Sequence, residues 1–395
     1  MTHQKTIKAP PGLAEMIVGI RRRLHQYPET GFQESRTASI IIEELKKLGI
    51  PYSEKIAKTG ICADIHGGED GPTVAIRADM DGLPLEEATG LKFASKNPGM
   101  MHACGHDGHM AMLLGIAAVL KEEKFPGRVR LIFQPAEEGG GGAALMVEEG
   151  VLDGVDCIIG GHLDRHYEAG EIIAADGLIC AYTDEFTIEI RGNGGHAARP
   201  HETADPIVTA GLLIMNLQTL VSREINPSWP CVVSVGQING GTAANVIADR
   251  TTMRGTIRAT HPESREKLLK GIKRMTGAMA DLFSVRVEIT IKEGYPPVVN
   301  DPATAAVIRD MIRENQQEYR LRELEYPSLG GEDFSFYQKK VPGCFLRIGA
   351  RPTHQVPAPS HSPNFDFNEE ALTPGALLFA RATLALIAVH SRPSR

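Results

Sequence analysis

Apolar residues recur at helical spacing over residues 12–25 and again over 34–48, where Gly49 supplies a stop. Three short β-rich apolar runs follow, Pro72 to Ala78, Arg128 to Phe133 and Val155 to Ile159. A helical run from Gly108 to Lys121 lies between the first two. Strands that alternate with helices predict an α/β domain, a mixed but mostly parallel sheet with helices on both faces.

The pattern changes near Tyr182. Thr183–Arg191 alternates as a strand, 203–222 is helical, and Cys231–Ile238 and Val246–Ala259 read as two further strands. Pro262–Phe283 is a helix whose leading Thr260-x-x-Glu263 fits a capping box, and Val285–Lys292 is a last strand. The order βαββαβ predicts an α+β ferredoxin-like domain. It is expected as an insert at 182–293, with 1–181 and 294–395 forming one discontinuous domain around it. The helix/strand alternation then resumes with a helix near 302–315, a strand near 344–348 and a long helix after Asn368. The irregular stretch 349–367 carries His361, and irregular segments of that length are often functional.

Composition narrows the partners. A chain of 395 residues has room for two or three domains. The net charge of −7 disfavours nucleic acid and anionic membrane, since phosphates attract basic faces. Arg21-Arg22-Arg23 reads as the wet face of a helix. The start, MTHQKTIKAPPG, has no apolar core of leader length, and no stretch approaches the ~20 apolar residues of a membrane span. Six scattered cysteines predict a reduced, cytoplasmic protein in which most of the thiols are small buried apolar groups, with Cys104 the exception.

Polar residues cluster where the strands end. Asp79 and Asp81 follow the first run, Glu137 and Glu138 the second, and His162 the third. Open α/β sheets place their sites on that edge. His102-Ala-Cys104-Gly-His106-Asp107-Gly-His109 precedes the first central helix, and its imidazoles and thiol suit zinc or a similar ion. A lone Cys-x-His is usually a buried thiol beside a satisfied histidine, and a lone Glu-Glu is usually a solvated pair. Together in one chain they point to a metal site, with one glutamate as ligand and the other free as a base. Cys104, in a Gly-rich polar turn between His102 and His106, is expected to bind metal. Gly139–Gly142 lacks the Gly-Lys-Ser/Thr of a phosphate loop. His109 has the lesser chance as a ligand. His25, His166, His201 and His354 default to surface or hydrogen-bonded roles.

HACGHDGH, QPAEEGGGGA, GGHAARPHETADP, NVIADRTTMRGTIRAT, GGEDFSFY and SHSPNFDFNEEAL, with RRRLHQYPETGFQE and RADMDGLPLEE, resemble the aminoacylase/carboxypeptidase family of di-metal metallopeptidases. The branch they resemble is that of hippurate hydrolases and N-acyl-amino-acid amidohydrolases, over nearly the whole chain and in order. The resemblance implies a catalytic domain built from both chain ends and an insert that serves as lid and dimerisation domain. It implies that Cys104 stands where related branches have a bridging Asp. It makes His106, Glu138, His162 and His361 the other ligands, Glu137 the general base, and Asp79 a residue behind the ligands. His196 looks like a lid histidine that enters the partner subunit's site, and Asn245 and Arg258 look like substrate contacts. Many relatives have an apolar residue and a proline after the histidine at 162; here the run is Leu163-Asp164-Arg165-His166.

The expected reaction is hydrolysis of an N-acyl amino acid to a carboxylic acid and an amino acid. It would use two divalent ions (zinc, manganese, nickel or cobalt) that share a water, with Glu137 as base and His196 stabilising the oxyanion. A homodimer or higher homo-oligomer through the lid is expected. A metallocarboxypeptidase or dipeptidase acting on short peptides is the alternative within the same chemistry. From other classes, a non-catalytic ligand-binding relative would have lost the base or a ligand. A thiol redox protein would need a resolving cysteine, and no Cys-x-x-Cys pair is present.

Overall fold

The computed structural model describes residues 7–353 and 358–391. Residues 1–6, read above for a leader, and His354 lie outside them. The chain runs α1 (Leu13–His25), α2 (Ser35–Leu48), β1 (Tyr52–Ile56), β2 (Gly60–His66), β3 (Gly68–Asp79), α3 (His106–Leu120), β4 (Phe125–Gln134), α4 (Gly142–Glu148), β5 (Cys157–Asp164) and β6 (Glu171–Ile173). β7 (Gly177–Cys180) leads to β8 (Tyr182–Arg191), β9 (Gly195–His196), α5 (Pro206–Thr219), β10 (Cys231–Gly240), β11 (Val246–Ile247), β12 (Arg250–Ala259), α6 (Pro262–Phe283) and β13 (Arg286–Glu293). After β14 (Val298–Asn300) come α7 (Pro302–Glu314), β15 (Arg320–Arg322), α8 (Ser335–Gln338), β16 (Gly343–Gly349) and α9 (Leu372–His390).

Two compact units result. Met1–Gly177, Val298–Glu325 and Asp333–Arg395 form the first, and Leu178–Pro297 with Tyr326–Glu332 the second. The first holds an eight-stranded mixed sheet in the order β1-β2-β4-β3-β5-β16-β6-β15. Its centre, β4-β3-β5-β16, is parallel, and antiparallel pairs join β1, β2 and β6 to it. α3 is apolar all round and every one of its residues is buried, packed on α1, α9 and β3. A helix of that kind belongs in a core. Truncating Leu113 or Leu114 there would cost about 2–5 kcal/mol.

The second unit is a four-stranded antiparallel sheet in the order β10-β12-β8-β13, with α5 and α6 packed on it. Phe186, Ile188, Ile190, Met253, Ile257, Leu213, Leu217, Leu268 and Ile272 form its core. Strand alternation supplies the sheet half, and i, i+4 spacing supplies the helix half. The segment from Tyr326 joins this unit because Ser328 exchanges backbone hydrogen bonds with Ile179 and Ala181.

Several sequence expectations need correction. Val246–Ala259 is not one strand. It breaks after Ile247, and β11 pairs with β9 while β12 joins the sheet. The cap of α6 is His261, whose Nδ1 accepts from Glu263 N at 3.3 Å. Thr260 instead donates its hydroxyl to the Pro230 carbonyl, so the capping-box spacing misleads by one position. β5 extends to Asp164, which places His162 inside a strand. The Gly160-Gly161 pair hides that strand, although Phe334 and Phe379 pack closely against it. Glu369–His390 is long and apolar enough to cross a membrane, contrary to expectation; 67% of its apolar 18-residue window is buried within the protein, as in a core helix. Arg21 is not on a wet face, being 1% exposed.

The end of α1 carries a pH-sensitive contact. The His25 ring is buried, with Nδ1 2.8 Å from Asp107 Oδ2 and Nε2 3.2 Å from Glu87 Oε1. Burial works against its positive charge, but the carboxylates prevail and push its pKa up to about 9. A group raised in the folded state stabilises it fully below the ordinary value near 6.5. That contribution is lost as pH climbs through 9. The wild-type melting temperature should therefore fall between pH 6.5 and 9.5 by an amount worth at most about 3 kcal/mol, and His25→Gln should lose that slope. A wild-type-minus-variant difference that stays constant across this window would contradict a charged His25.

Candidate metal centre

β3, β4 and β5 run parallel and finish at one edge, with Asp79 level with Gln134. The polar residues at and just past these ends converge there with the start of α3. Gly105 takes φ 93° between Cys104 and His106, a left-handed turn that suits glycine and starts the helix. Cys104 Sγ then stands 3.3 Å from His162 Nε2. Cys104, His106 and His162 offer donor atoms within 4.8 Å of one another, and so do Cys104, Glu138 and His361. The two triads share the sulfur.

Hydrogen bonds set which ring nitrogens are bare. His106 Nδ1 is 2.9 Å from the Asp81 carbonyl, and His162 Nδ1 is 2.8 Å from the Leu163 carbonyl. A carbonyl only accepts, so in each neutral ring Nδ1 carries the hydrogen and Nε2 keeps its lone pair. His106 Nε2 is buried with no hydrogen-bond partner. Glu138 Oε1 lies 2.9 Å from His361 Nε2 but is not aligned as a hydrogen bond, and it too is left without one. A buried polar atom orphaned like His106 Nε2 costs about 1–3 kcal/mol, whereas Glu138 Oε1 is compensated by its ion pair with His361. A cation between the triads would satisfy both.

Burial works against a charge on His106, but the Asp79 carboxylate prevails and pushes its pKa up, so an ion there would displace a proton. Burial, with the Glu138 carboxylate, pushes the Cys104 thiol up. Contacts with Cys104 and Glu138 push His361 up to about 10. Burial and the neighbouring His109 push His162 down to about 3, leaving it a neutral donor. The protons held on Cys104 and His361 occupy positions a divalent ion would take, since ligand thiols and imidazoles bind metal only when deprotonated. The residues present thus fit a two-ion group.

Glu137 and Glu138 sit on a strained turn. Ala136 adopts φ 54°, unusual for a residue with a Cβ. Its N–H donates to buried Glu34 at 2.9 Å. The Asp81 carboxylate accepts from Glu137 N at 3.1 Å and from Glu138 N at 2.9 Å. A Cβ on Gly142 would meet the Pro135 carbonyl at 1.7 Å, so this Gly-rich stretch serves close backbone approach. Glu34 and the anchoring role of Asp81 were not read from the sequence; the only available signal was that Asp81 lies two residues past Asp79.

Asp79 lies beside the ligand candidate His106. Its Oδ1 accepts from His109 Nδ1 at 2.6 Å, and its Oδ2 accepts from Arg77 at 2.8 Å and stands 3.7 Å from His106 Nε2. His109 Nε2 accepts from Leu163 N at 3.0 Å. Asp79, His106 and His109 are close enough to form another donor group, yet both His109 nitrogens are already engaged. Arg77 also binds Asp333 at 2.9 Å and Gln134 at 2.7 Å, a fully buried set that the sequence reading missed.

The remaining candidates fall in the second unit. His196 is exposed on β9, paired with Val246, and its Nδ1 accepts from Ala198 N at 3.1 Å. Asn245 is adjacent, its carbonyl accepting from Ala197 N. Arg258 is half-buried near the far end of β12 and donates to the Ile257 carbonyl. The structure therefore brings His196 and Asn245 together and places Arg258 elsewhere in that unit. The charged run after His162 is internally paired. Asp164 is buried, accepts from His166 and lies 3.2 Å from Arg347. His201 is exposed, 3.7 Å from Glu202. All six cysteines are free thiols.

A thiol, imidazoles and carboxylates gathered at the carboxyl edge of a parallel sheet form the donor set of a metallohydrolase. The chain belongs to peptidase family M20/M25/M40, whose family model matches residues 75–385. It is 42% identical to an N-acetyl-L-cysteine deacetylase of Bacillus subtilis over 363 residues, 91% of this chain and 85% of that one. It is 39% identical to thermostable carboxypeptidase 1 of Saccharolobus solfataricus over 381 residues, 95% of each. The crystal structure of the Bacillus subtilis YXEP protein, described as a dinuclear metal-binding peptidase of the M20 family, superposes with a TM-score of 0.82 at 36% identity, covering 96% of this chain and 99% of that one.

The shared sulfur predicts an asymmetry. Cys104→Ala should lower occupancy of both ions, whereas His162→Ala should lower one. Metal counted per chain by mass spectrometry after dialysis checks this. Two retained equivalents in Cys104→Ala would remove the cysteine from the centre.

Proposed function

We propose that the chain is a two-metal amidohydrolase that cleaves the amide bond of N-acyl amino acids. The observation that carries this reading is a pair of donor triads meeting at Cys104, with Glu137 beside the ligand candidate Glu138. Cys104, His106 and His162 would hold one ion, and Cys104, Glu138 and His361 the other. Bound divalent ions would polarise the scissile carbonyl and make water more acidic. Glu137 takes a proton from the attacking water and hands it to the leaving amine nitrogen, giving a carboxylic acid and an amino acid. Asp81 keeps the two glutamates apart in role by fixing the backbone of both. Asp79, itself held by Arg77, fixes the His109 ring and sets a negative charge beside His106. Asn245 and Arg258 are assigned to the substrate.

The deacetylase relative supports an acyl amino acid as substrate, and the carboxypeptidase relative keeps short peptides as the second reading. Enzyme loaded with zinc, manganese, cobalt or nickel should release amine faster from N-acetyl, N-benzoyl or N-succinyl amino acids than from dipeptides. Faster cleavage of dipeptides would reverse the assignment. Glu137→Gln should keep both ions and the fold while kcat falls about 100- to 10,000-fold. Glu138→Gln should lose metal instead. Swapped phenotypes would exchange the two roles.

His196 is assigned to the oxyanion in the active site of a second copy. Supporting this, α5 exposes Ile207, Val208, Leu212 and Met215, and β10 is an open edge of its sheet. Both are features that a twin can cover. Mixing inactive His196→Ala and Glu137→Gln chains should restore activity, up to about half that of wild type per hybrid dimer. No recovery despite demonstrated subunit exchange would place His196 outside the partner's reaction.

A further inference from the structure

Arg21 is the second feature of α1 that the apolar pattern does not explain. Its side chain is 1% exposed. The guanidinium Nε donates to Asp107 Oδ2 at 2.8 Å, Nη2 to Asp366 Oδ1 at 2.9 Å and Nη1 to Glu369 Oε1 at 3.0 Å. The rings of Phe93 and Phe367 lie 4.7 and 4.4 Å from its carbon. Burial opposes its charge, but the three carboxylates more than restore it and the pKa is raised.

The partners have meaning in the fold. Asp107 follows His106 at the start of α3. Asp366 and Glu369 lie on the segment that carries His361, between β16 and α9. Among its described residues the regular structure is one short 3-10 turn at Glu369–Ala371, and His361 itself takes φ 63°. Its N–H is tied to the Ala103 carbonyl at 2.8 Å, next to Cys104. An apolar side chain would fill the same space without the desolvation cost of an ion pair. What the guanidinium adds is direction, because its planar fork fixes three oxygens relative to one another.

We propose that Arg21 is a positioning residue for the His361 half of the metal centre, clamping the segment that bears His361 against the helix end that bears His106. The proposal rests on the two-ion reading above. The α3 side stays tied without Arg21, since Asp107 keeps His25 and His106 keeps the Asp81 carbonyl. The His361 segment would lose its tie through Arg21 to Asp107 and keep on that side only the pair of Glu369 with the half-exposed Arg22, at 2.6 Å. The clamp therefore acts on the ion held by Cys104, Glu138 and His361 and spares the ion held by Cys104, His106 and His162.

Metal equivalents per chain, followed across a chelator series, test this in Arg21→Met, Arg21→Lys and Asp366→Asn. His361→Ala and His162→Ala serve as references for loss of each ion. Wild type should hold two equivalents. Arg21→Met and Asp366→Asn should release one of them at a chelator concentration about 10-fold lower or more, as His361→Ala does, and keep the other. Arg21→Lys should fall between, since one ammonium cannot span three carboxylates. The melting temperature of metal-free Asp366→Asn should match that of metal-free wild type. Release of both equivalents in parallel, or retention of both as in wild type, overturns the clamp. If Arg21→Met does not fold, Asp366→Asn decides alone, since it leaves Arg21 two carboxylates. Wild type holding fewer than two equivalents would overturn the two-ion reading, and the clamp with it.

Discussion

The Asp81 carboxylate is the interaction on which the site depends. It accepts the backbone N–H groups of both Glu137 and Glu138, and its own carbonyl receives Nδ1–H of His106. Three groups from two distant parts of the chain are thereby fixed to one residue at the end of β3. Without that carboxylate two buried N–H groups would be unpaired, at about 1–3 kcal/mol each. The left-handed Ala136 makes the same demand and is met by Glu34. Strain of this kind persists only where the surroundings over-determine it. Here two carboxylates from separate segments do so.

Behind this layer the unit buries whole ion pairs: Arg77 with Asp79 and Asp333, and Arg21 with Asp107. Such pairs stabilise little, because desolvation offsets the attraction. They do fix geometry, and each touches a residue next to a ligand candidate. Asp79 reaches His109, whose other nitrogen holds Leu163 N beside His162.

Much of this was legible in the sequence. Parallel strands announce themselves as apolar runs, and ligands past strand ends announce an edge. The carboxylate pair and the Cys-x-His were readable for that reason, as was the βαββαβ order, where alternation is strong. What escaped has a common cause. Arg21 meets Glu369 across 348 positions and Gln134 meets Asp333 across 199, and no local periodicity encodes such pairs. Arg21 falls in a run of three arginines, of which Arg22 and Arg23 do face outward. The break after Ile247 escaped because β11 leaves the sheet to pair with His196, a tertiary event within an otherwise continuous strand pattern.

The shared cysteine has a consequence for the ions. A carboxylate can bridge two metals through two oxygens, whereas a thiol must do so through one sulfur. The two triads meet at a single atom, so loss of Cys104 would touch both, whereas loss of His162 or His361 would touch one. Sulfur also softens the donor set. One thiol, three imidazoles and one carboxylate, as the candidate donors, would suit transition-metal ions better than magnesium or calcium, which prefer all-oxygen shells. Burial and the Glu138 carboxylate push the Cys104 thiol up, so an ion bound by this sulfur would have to displace its proton.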